Sequence, residues 1–310
     1  MHTVYFDSPV TDAVRRRRLY DGQLFVYKAT PSSTALCEFA RQMIEDAFKG
    51  LDPRTAQYEM DVESYVNIVA PLKPQFIHAP ESKRLIQGIL AELQCDSETT
   101  YLDVPRLRMV TSDAYLTAGV GYAHHAHRDT WYSAPLAQIN WWLPIYEIET
   151  ECSMAFHPQY WNRKVQNGSH KFNYYEWNTS GRADAAKYIK TDTRQQPKAE
   201  EPMELDPQLR IVCGRGDMIL FSAAQMHSTV PNTAGFTRYS IDFRTVNSDD
   251  LRTRAGAPNL DTACTGTSLR DFMKGSDLSR LSEDLVAQYD SESEADGVRV
   301  YQPQSGVLAK

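Results

Sequence analysis

The sequence predicts an α+β protein, mainly β with flanking helices, on three observations. Apolar residues recur at helical spacing within the first hundred positions. From about Arg106 the texture changes to short apolar runs separated by Gly, Pro, Asn and Asp. Between His157 and Pro207 lies a long polar and aromatic stretch, of the kind that forms lids or binding loops. We therefore expect residues 1–250 to form a single domain with N-terminal helices and a lid insertion near 157–207, and 251–310 to form a C-terminal extension, partly helical and partly mobile.

Taken in order, the four arginines Arg15–Arg18 read as a solvated turn or a crossing of the surface rather than a phosphate site. "GQLFVYKA" reads as a strand. Pro31–Phe48 follows as an amphipathic helix, with Leu36, Phe39, Ala40, Met43, Ile44, Ala47 and Phe48 on one face. A second helix covers Glu81–Leu93 through Leu85, Ile86, Ile89, Leu90 and Leu93. The runs "RLRMV", "AYLTAGVGYAHHAH", "LAQINWWLPIYEI", "CSMAFHP", "LRIVC", "DMILFSA" and "FTRYSIDFRTV" then read as strands of an antiparallel sandwich or barrel. A short helix at Asp277–Tyr289 precedes "DSESEAD", an exposed tail.

Composition narrows the function classes. With 33 basic against 40 acidic residues the net charge is −7, which gives no general reason to bind nucleic acid. No apolar run approaches the roughly 18–20 residues of a membrane span, and the N-terminus lacks a basic and apolar leader, so we expect no membrane partner and a cytoplasmic setting. The five cysteines are scattered and never C-x-x-C, which favours free, core-packed thiols over disulfides or a thiolate zinc site.

The chemistry concentrates in "HHAHRDTW". On an extended chain His127 and Asp129 project to one side and reach the same ion. Eight histidines and 40 acids in 310 residues produce about one such pair by chance, so a third ligand is needed. His227 is the best candidate, at the end of "GRGDMILFSAAQMH". Two imidazoles and a carboxylate on one face leave three positions open on an octahedral ion, the arrangement of non-haem Fe(II) oxygenases. In "RYSIDFR", Arg238, Ser240, Asp242 and Arg244 share a face opposite Tyr239, Ile241 and Phe243. A turn centred near Thr233 would set residue 227 opposite about residue 239 and bring Arg238 to the metal. There Arg238 and Ser240 would hold a carboxylate, or Arg238 would pair with Asp242.

This combination resembles the Fe(II)/2-oxoglutarate dioxygenases, and within them the phytanoyl-CoA dioxygenase-like group. The resemblance rests on His127-x-Asp129, on His227 after "GDMILF", on Arg238-x-Ser240 eleven residues further, and on "NGSHKF" (Asn167–Phe172), similar to that group's "PGSHK" but without the proline. It spans about residues 106–246. The resemblance implies a double-stranded β-helix (jelly-roll, cupin-like) core and an oxygenase domain over 1–250. It further implies Fe(II) on His127, Asp129 and His227, 2-oxoglutarate as co-substrate with its distal carboxylate on Arg238 and Ser240, and O2 as oxidant, with succinate and CO2 released. An acid at 129, where halogenating relatives have a small residue, implies oxygen transfer.

Neighbouring positions supply further candidates. Gln138 and Asn140 share a face and, with Thr229, suit hydrogen bonds to co-substrate or substrate. All five tryptophans fall between Trp131 and Trp177; Trp131 and Trp142, together with Asn140 and Arg244, are the candidates for contact with substrate. His125 is near the site or a rival ligand, His124 points away, and His78, His157 and His170 are surface or loop residues. The expected substrate is a small polar metabolite, an amino acid or natural-product intermediate. Two alternatives remain: a non-catalytic cupin-like ligand-binding protein, and a metal-dependent cupin enzyme that does not use 2-oxoglutarate, against which the Arg238–Ser240 pair speaks. The sequence identifies neither the substrate nor the oligomeric state.

Overall fold

The computed structural model describes residues 2–121, 124–181, 188, 190, 191, 193, 194 and 196–290. Helices line one face of a large sheet, and a small sheet covers part of the other.

The expected strand at residue 24 forms as β2 (Leu24–Tyr27), next to β1 (Val4–Phe6), with which it pairs in parallel. Between them the four arginines lie on a helix, α1 (Asp12–Tyr20), not in a solvated turn. Arg15 is buried because its guanidinium finds Asp12, the carbonyl of Leu93 and the Cys95 sulfur, while Arg16 reaches Asp250. Charged side chains that find such partners can be buried, which a charge run alone does not reveal. α2 (Pro31–Phe48) begins with Pro31 in its first turn and a reciprocal cap between Thr30 and Ser33, and buries Leu36, Ala40, Ile44 and Phe48. α3 (Val62–His78) is an addition to the predicted elements: Pro71 and Pro74 mask it in sequence, yet Asp61 caps it and Tyr65, Val69, Leu72 and Phe76 form its buried stripe. α4 (Pro80–Glu92) follows.

Then come β3 (Thr100–Leu102), β4 (Arg106–Val110), β5 (Ile139–Pro144), β6 (Met154–Phe156), the three-residue turn α5 (Tyr174–Glu176), β7 (Leu209–Ile211), β8 (Met218–Ser222), β9 (His227–Thr229), β10 (Arg238–Asn247), α6 (Ser248–Thr253), β11 (Met273–Lys274) and α7 (Glu283–Val286). The expected strand over 114–127 does not form; its described residues hold a single 3-10 turn, Gly119–Gly121, and an isolated bridge at His127. The helix expected over Asp277–Tyr289 shortens to α7. The tail beyond Asp290 lies outside the described residues.

The large sheet has the order β1-β2-β8-β5-β10-β3-β11, and β4 also pairs with β10; the small sheet has the order β7-β6-β9. Alternation along β5 and β10 builds two interiors at once. Trp141, Leu143, Tyr239, Ile241 and Phe243 face the helices, whereas Trp142 joins Ile219 and Phe221 of the large sheet against Met154, Phe156 and Ile211 of the small one. The expected β9–β10 hairpin is overturned: β9 pairs with β6, and β10 with β4 and β5. Pro231 and Asn232 divert the chain between them, and the Asn232 amide is held by the carbonyls of Val110 and Phe236. His227 and Arg238 therefore meet from facing sheets, not across a ladder.

Candidate metal centre and its cavities

Backbone hydrogen bonding joins the two histidines. The amide of His127 donates to the carbonyl of His227 and the amide of His227 to that of His127, each at 3.0 Å. Such a mutual pair sets the two side chains opposite one another on one face, and the ring centroids lie 4.4 Å apart. Asp129, which opens the 3-10 turn Asp129–Tyr132, brings its carboxylate to 3.3 Å from Nε2 of His127. One ligand atom from each of His127, Asp129 and His227 lies within 4.8 Å of the others.

The proton inventory of this cluster is decisive. Nδ1 of His127 lies 2.7 Å from the carbonyl of His125, and Nδ1 of His227 lies 2.9 Å from that of Gln225. A carbonyl only accepts, so the Nδ1 of each ring carries a proton and its Nε2 is the atom turned toward the cluster. Burial first, and then the neighbouring His127, push His227 down to about 4, which keeps it neutral. Burial would raise Asp129, but the contact with His127 and the charge of Arg244 hold it well below the usual carboxylate range. Two imidazole nitrogens and an anionic oxygen thus converge on one point, an arrangement that a divalent cation satisfies.

The surroundings fix this geometry. Gln138 donates to Asn140 (2.9 Å), and Asn140 donates to Oδ2 of Asp129 (2.7 Å), leaving Oδ1 toward the histidines. Between the two ligands, Arg128 points the other way. Its guanidinium donates to the carbonyls of Ala224, Tyr160 and Arg163 and to the Asp261 carboxylate, which also accepts from the indole of Trp131 at 2.8 Å. Sequence reading did not single out Arg128 or Asp261, whose partners come from four distant segments.

Two cavities meet at the centre. The smaller, about 100 Å³, is lined by all three candidate ligands together with Asn140, Trp142, Thr229 and Arg238. Arg238 is buried, lies 5.5 Å from the centre of the Trp142 ring and donates to the Cys152 carbonyl at 3.2 Å. Burial pulls it down to about 10, so it stays charged at neutral pH. Its Nε and the hydroxyl of Ser240 have no hydrogen-bond partner among the described residues. A buried guanidinium with an unused donor calls for an anion, whereas Ser240 is not among the described residues lining either cavity. Asp242 does not fill that role, since it accepts from Nε of Arg108. The larger cavity, about 650 Å³, takes His127 and Asp129 on one wall and Gln138, Arg244, Tyr132, Phe172 and Trp177 on others.

The structure thus brings His127, Asp129, His227, Arg238, Asn140, Trp142, Thr229, Gln138 and Arg244 to one centre. Gln138 and Asn140 hold Asp129, and Thr229 accepts from the amide of His124. Trp131 stands apart, packed with Tyr160, Val165 and Met226. His124 does not point away; it borders both cavities, whereas the His125 ring bonds the Pro197 carbonyl. His157 is buried, with its ring between the Leu205 carbonyl and the Ser228 hydroxyl. In "NGSHKF", the Asn167 side chain caps the turn and bonds the carbonyl of Asp261, and Phe172 lines the larger cavity.

No family model matches this sequence, and no curated protein matches it. Among solved structures, the apo form of a non-haem monooxygenase, ThoJ, aligns at 10% identity over 69% of this chain and 70% of that one, with a TM-score of 0.40. EvdO2 from Micromonospora carbonacea var. aurantiaca, complexed with 2-oxoglutarate, aligns at 13% identity over 56% and 62%, with a TM-score of 0.35. SnoN, a non-haem α-ketoglutarate-dependent epimerase from nogalamycin biosynthesis, aligns at 13% identity over 76% and 82%, with a TM-score of 0.37. Among the described residues no helix is long and apolar enough to cross a membrane.

Proposed function

We propose that this chain is a non-haem Fe(II)/2-oxoglutarate-dependent dioxygenase of the phytanoyl-CoA dioxygenase-like type, built on a double-stranded β-helix of which the two sheets are the halves. Its substrate is a small polar metabolite in the cytoplasm, an amino acid or natural-product intermediate, oxidised at an unactivated C–H bond. The observation that carries this reading is the pairing of a convergent His–Asp–His cluster with a buried, anion-seeking arginine in one cavity.

The residues fit the groups they would hold. Nε2 of His127, Nε2 of His227 and Oδ1 of Asp129 suit Fe(II), and the orphaned Nε of Arg238 suits the distal carboxylate of 2-oxoglutarate. Bound together, Fe(II) and 2-oxoglutarate supply an oxidant from O2 for a nearby C–H bond, with succinate and CO2 as co-products. The chain's own task is positioning. The carbonyls of His125 and Gln225 fix the ring tautomers, and Asn140 holds the carboxylate. Arg238 approaches from the opposite sheet, fixing which end of the diacid faces the ligands. Tyr132, Phe172 and Trp177 wall the larger cavity against water, and the segment near 157–207 that supplies the latter two acts as the lid.

The test is anaerobic addition of Fe(II) and then 2-oxoglutarate. A weak visible charge-transfer absorption is expected in the wild type and not in His227→Ala. A metabolite library then identifies substrates by stimulated succinate release. Absence of the absorption band, or a band unaffected by His227→Ala, contradicts the proposal and leaves a binding module.

A further inference from the structure

The larger cavity carries an imbalance of charge that the metal chemistry does not use. Leaving Arg194 aside, the described residues of its walls include four basic side chains, Lys73, Arg106, Arg108 and Arg244, and two acidic ones, Asp103 and Asp129. Asp129 belongs to the candidate metal ligands. Asp103 is engaged by Arg106 at 2.5 Å and by Arg244 at 3.3 Å. Asp242, on the adjoining wall, accepts from Arg108 through Nε alone; the two terminal amino groups of Arg108 make no bond among the described residues. Lys73, on α3, spends one of its three donors on the carbonyl of Val120 and has no carboxylate partner among the described residues.

Lys73 and Arg108 border both cavities, as His127 and Asp129 do, so they stand where the larger cavity meets the metal centre. Two basic groups lining one recess repel one another, and an anion seated between them converts repulsion into two charge-assisted hydrogen bonds. Burial and the charge of Arg108 already push Lys73 down to about 7, the mark of a site lacking its counter-ion. The wall also carries apolar and aromatic groups, among them Ile77, Leu107, Phe172 and Trp177, beside the polar side chains of Gln138, Asn178 and Ser268. A volume of about 650 Å³ falls in the range of pockets that enclose drug-sized ligands.

We propose that the larger cavity binds an acidic small molecule, a carboxylic acid or phosphate monoester on a ring-containing apolar body, with its anionic group between Lys73 and Arg108. This deepens the oxygenase reading and rests on it, because it takes the larger cavity as the substrate side of the metal. It makes Lys73 and Arg108 the residues that select the substrate and orient it toward the ligands.

The test uses three matched probes, naphthoate, naphthyl phosphate and the neutral naphthamide, titrated calorimetrically into the full chain held anaerobically with Fe(II) and saturating 2-oxoglutarate. At least one acid is expected to bind roughly tenfold or more tightly than the amide; the tighter of the two assigns carboxylate or phosphate. Lys73→Met and Arg108→Gln are expected to remove that preference and Lys73→Arg to retain it, with the visible absorption band of the loaded protein as the check that each variant is folded and loaded. The proposal is overturned by equal binding of acid and amide, by no binding of either acid at millimolar concentration, by a preference that survives Lys73→Met, or by acids that displace 2-oxoglutarate. The comparison of probes on the wild type needs no variant. If the band never develops but the metal-free chain shows the Lys73-dependent preference for acid, the cation site stands and the oxygenase reading falls.

Discussion

Asn140 shows how much of a metal centre lies outside its ligands. Its amide donates to Oδ2 of Asp129 and is itself held by Gln138, so the carboxylate has one orientation open to it. Asn140→Ala is expected to weaken Fe(II) binding by about 10–100-fold with the melting temperature little changed, read by anaerobic metal titration. Lys73 gives a second prediction at this scale. Half-buried in the cavity wall, with the charges of Arg108 and Arg194 adding to desolvation and Asp242 opposing it, it is pushed down to about 7 from the usual 10.5. Between those values the unfolded chain holds more protons than the folded one, so this residue makes stability rise with pH across that window and adds a constant cost below it. Lys73→Met is expected to flatten the rise, as urea titrations across the window would show. His127, His227 and Arg238, which line one cavity, could be singled out from the sequence because their spacing is a motif. Lys73 was not, since nothing local distinguishes it from any helical lysine.

Among the elements, β10 organises the centre. Its alternation was readable from "RYSIDFR" and holds: Tyr239, Ile241 and Phe243 enter the core beneath the helices, while Arg238, Asp242 and Arg244 reach the cavities. Its pairing was not readable, because a strand carries no mark of which edge it will join, and the loop at Pro231–Asn232 sends β9 to the other sheet. Arg238→Gln keeps the shape but loses the charge. We expect the KM for 2-oxoglutarate to rise by roughly 10–100-fold, the equivalent of a charge-assisted hydrogen bond, with kcat less affected. Approach to β5 is equally tight. A Cβ at Gly256 would lie 2.7 Å from the carbonyl carbon of Leu136 and 2.8 Å from the amide nitrogen of Ala137, backbone that cannot yield without moving Gln138. Gly256→Ala is expected to cost about 1–3 kcal/mol in a urea titration.

Over the whole molecule, the segment after residue 250 holds the turn that opens on Asp129 in place. β11 pairs with β3 at the edge of the large sheet, and Tyr174 donates to Asp271. Asp261 receives Arg128 and Trp131, which flank Asp129. Arg128 is buried, so removing its only carboxylate partner among the described residues strands a charge. Asp261→Ala is therefore expected to lower stability by about 3–5 kcal/mol and to weaken metal binding as well, measured by urea midpoint and Fe(II) titration on the same protein. A result in which neither changes would show that the C-terminal segment does not support the turn.

By itself the sequence determined the chemistry on offer: which side chains can ligate, which faces of a strand or helix are apolar, and where long loops interrupt them. Those are local properties, set by residue type and by the 2.0 and 3.6 periods. Tertiary structure alone decided that residues 127 and 227 exchange backbone hydrogen bonds, that α1 and α3 are helices despite four arginines and two prolines, and that Lys73 stands beside Arg108. Each of these depends on which distant groups satisfy a buried charge or an open backbone edge, and that is settled only when the layers close on one another.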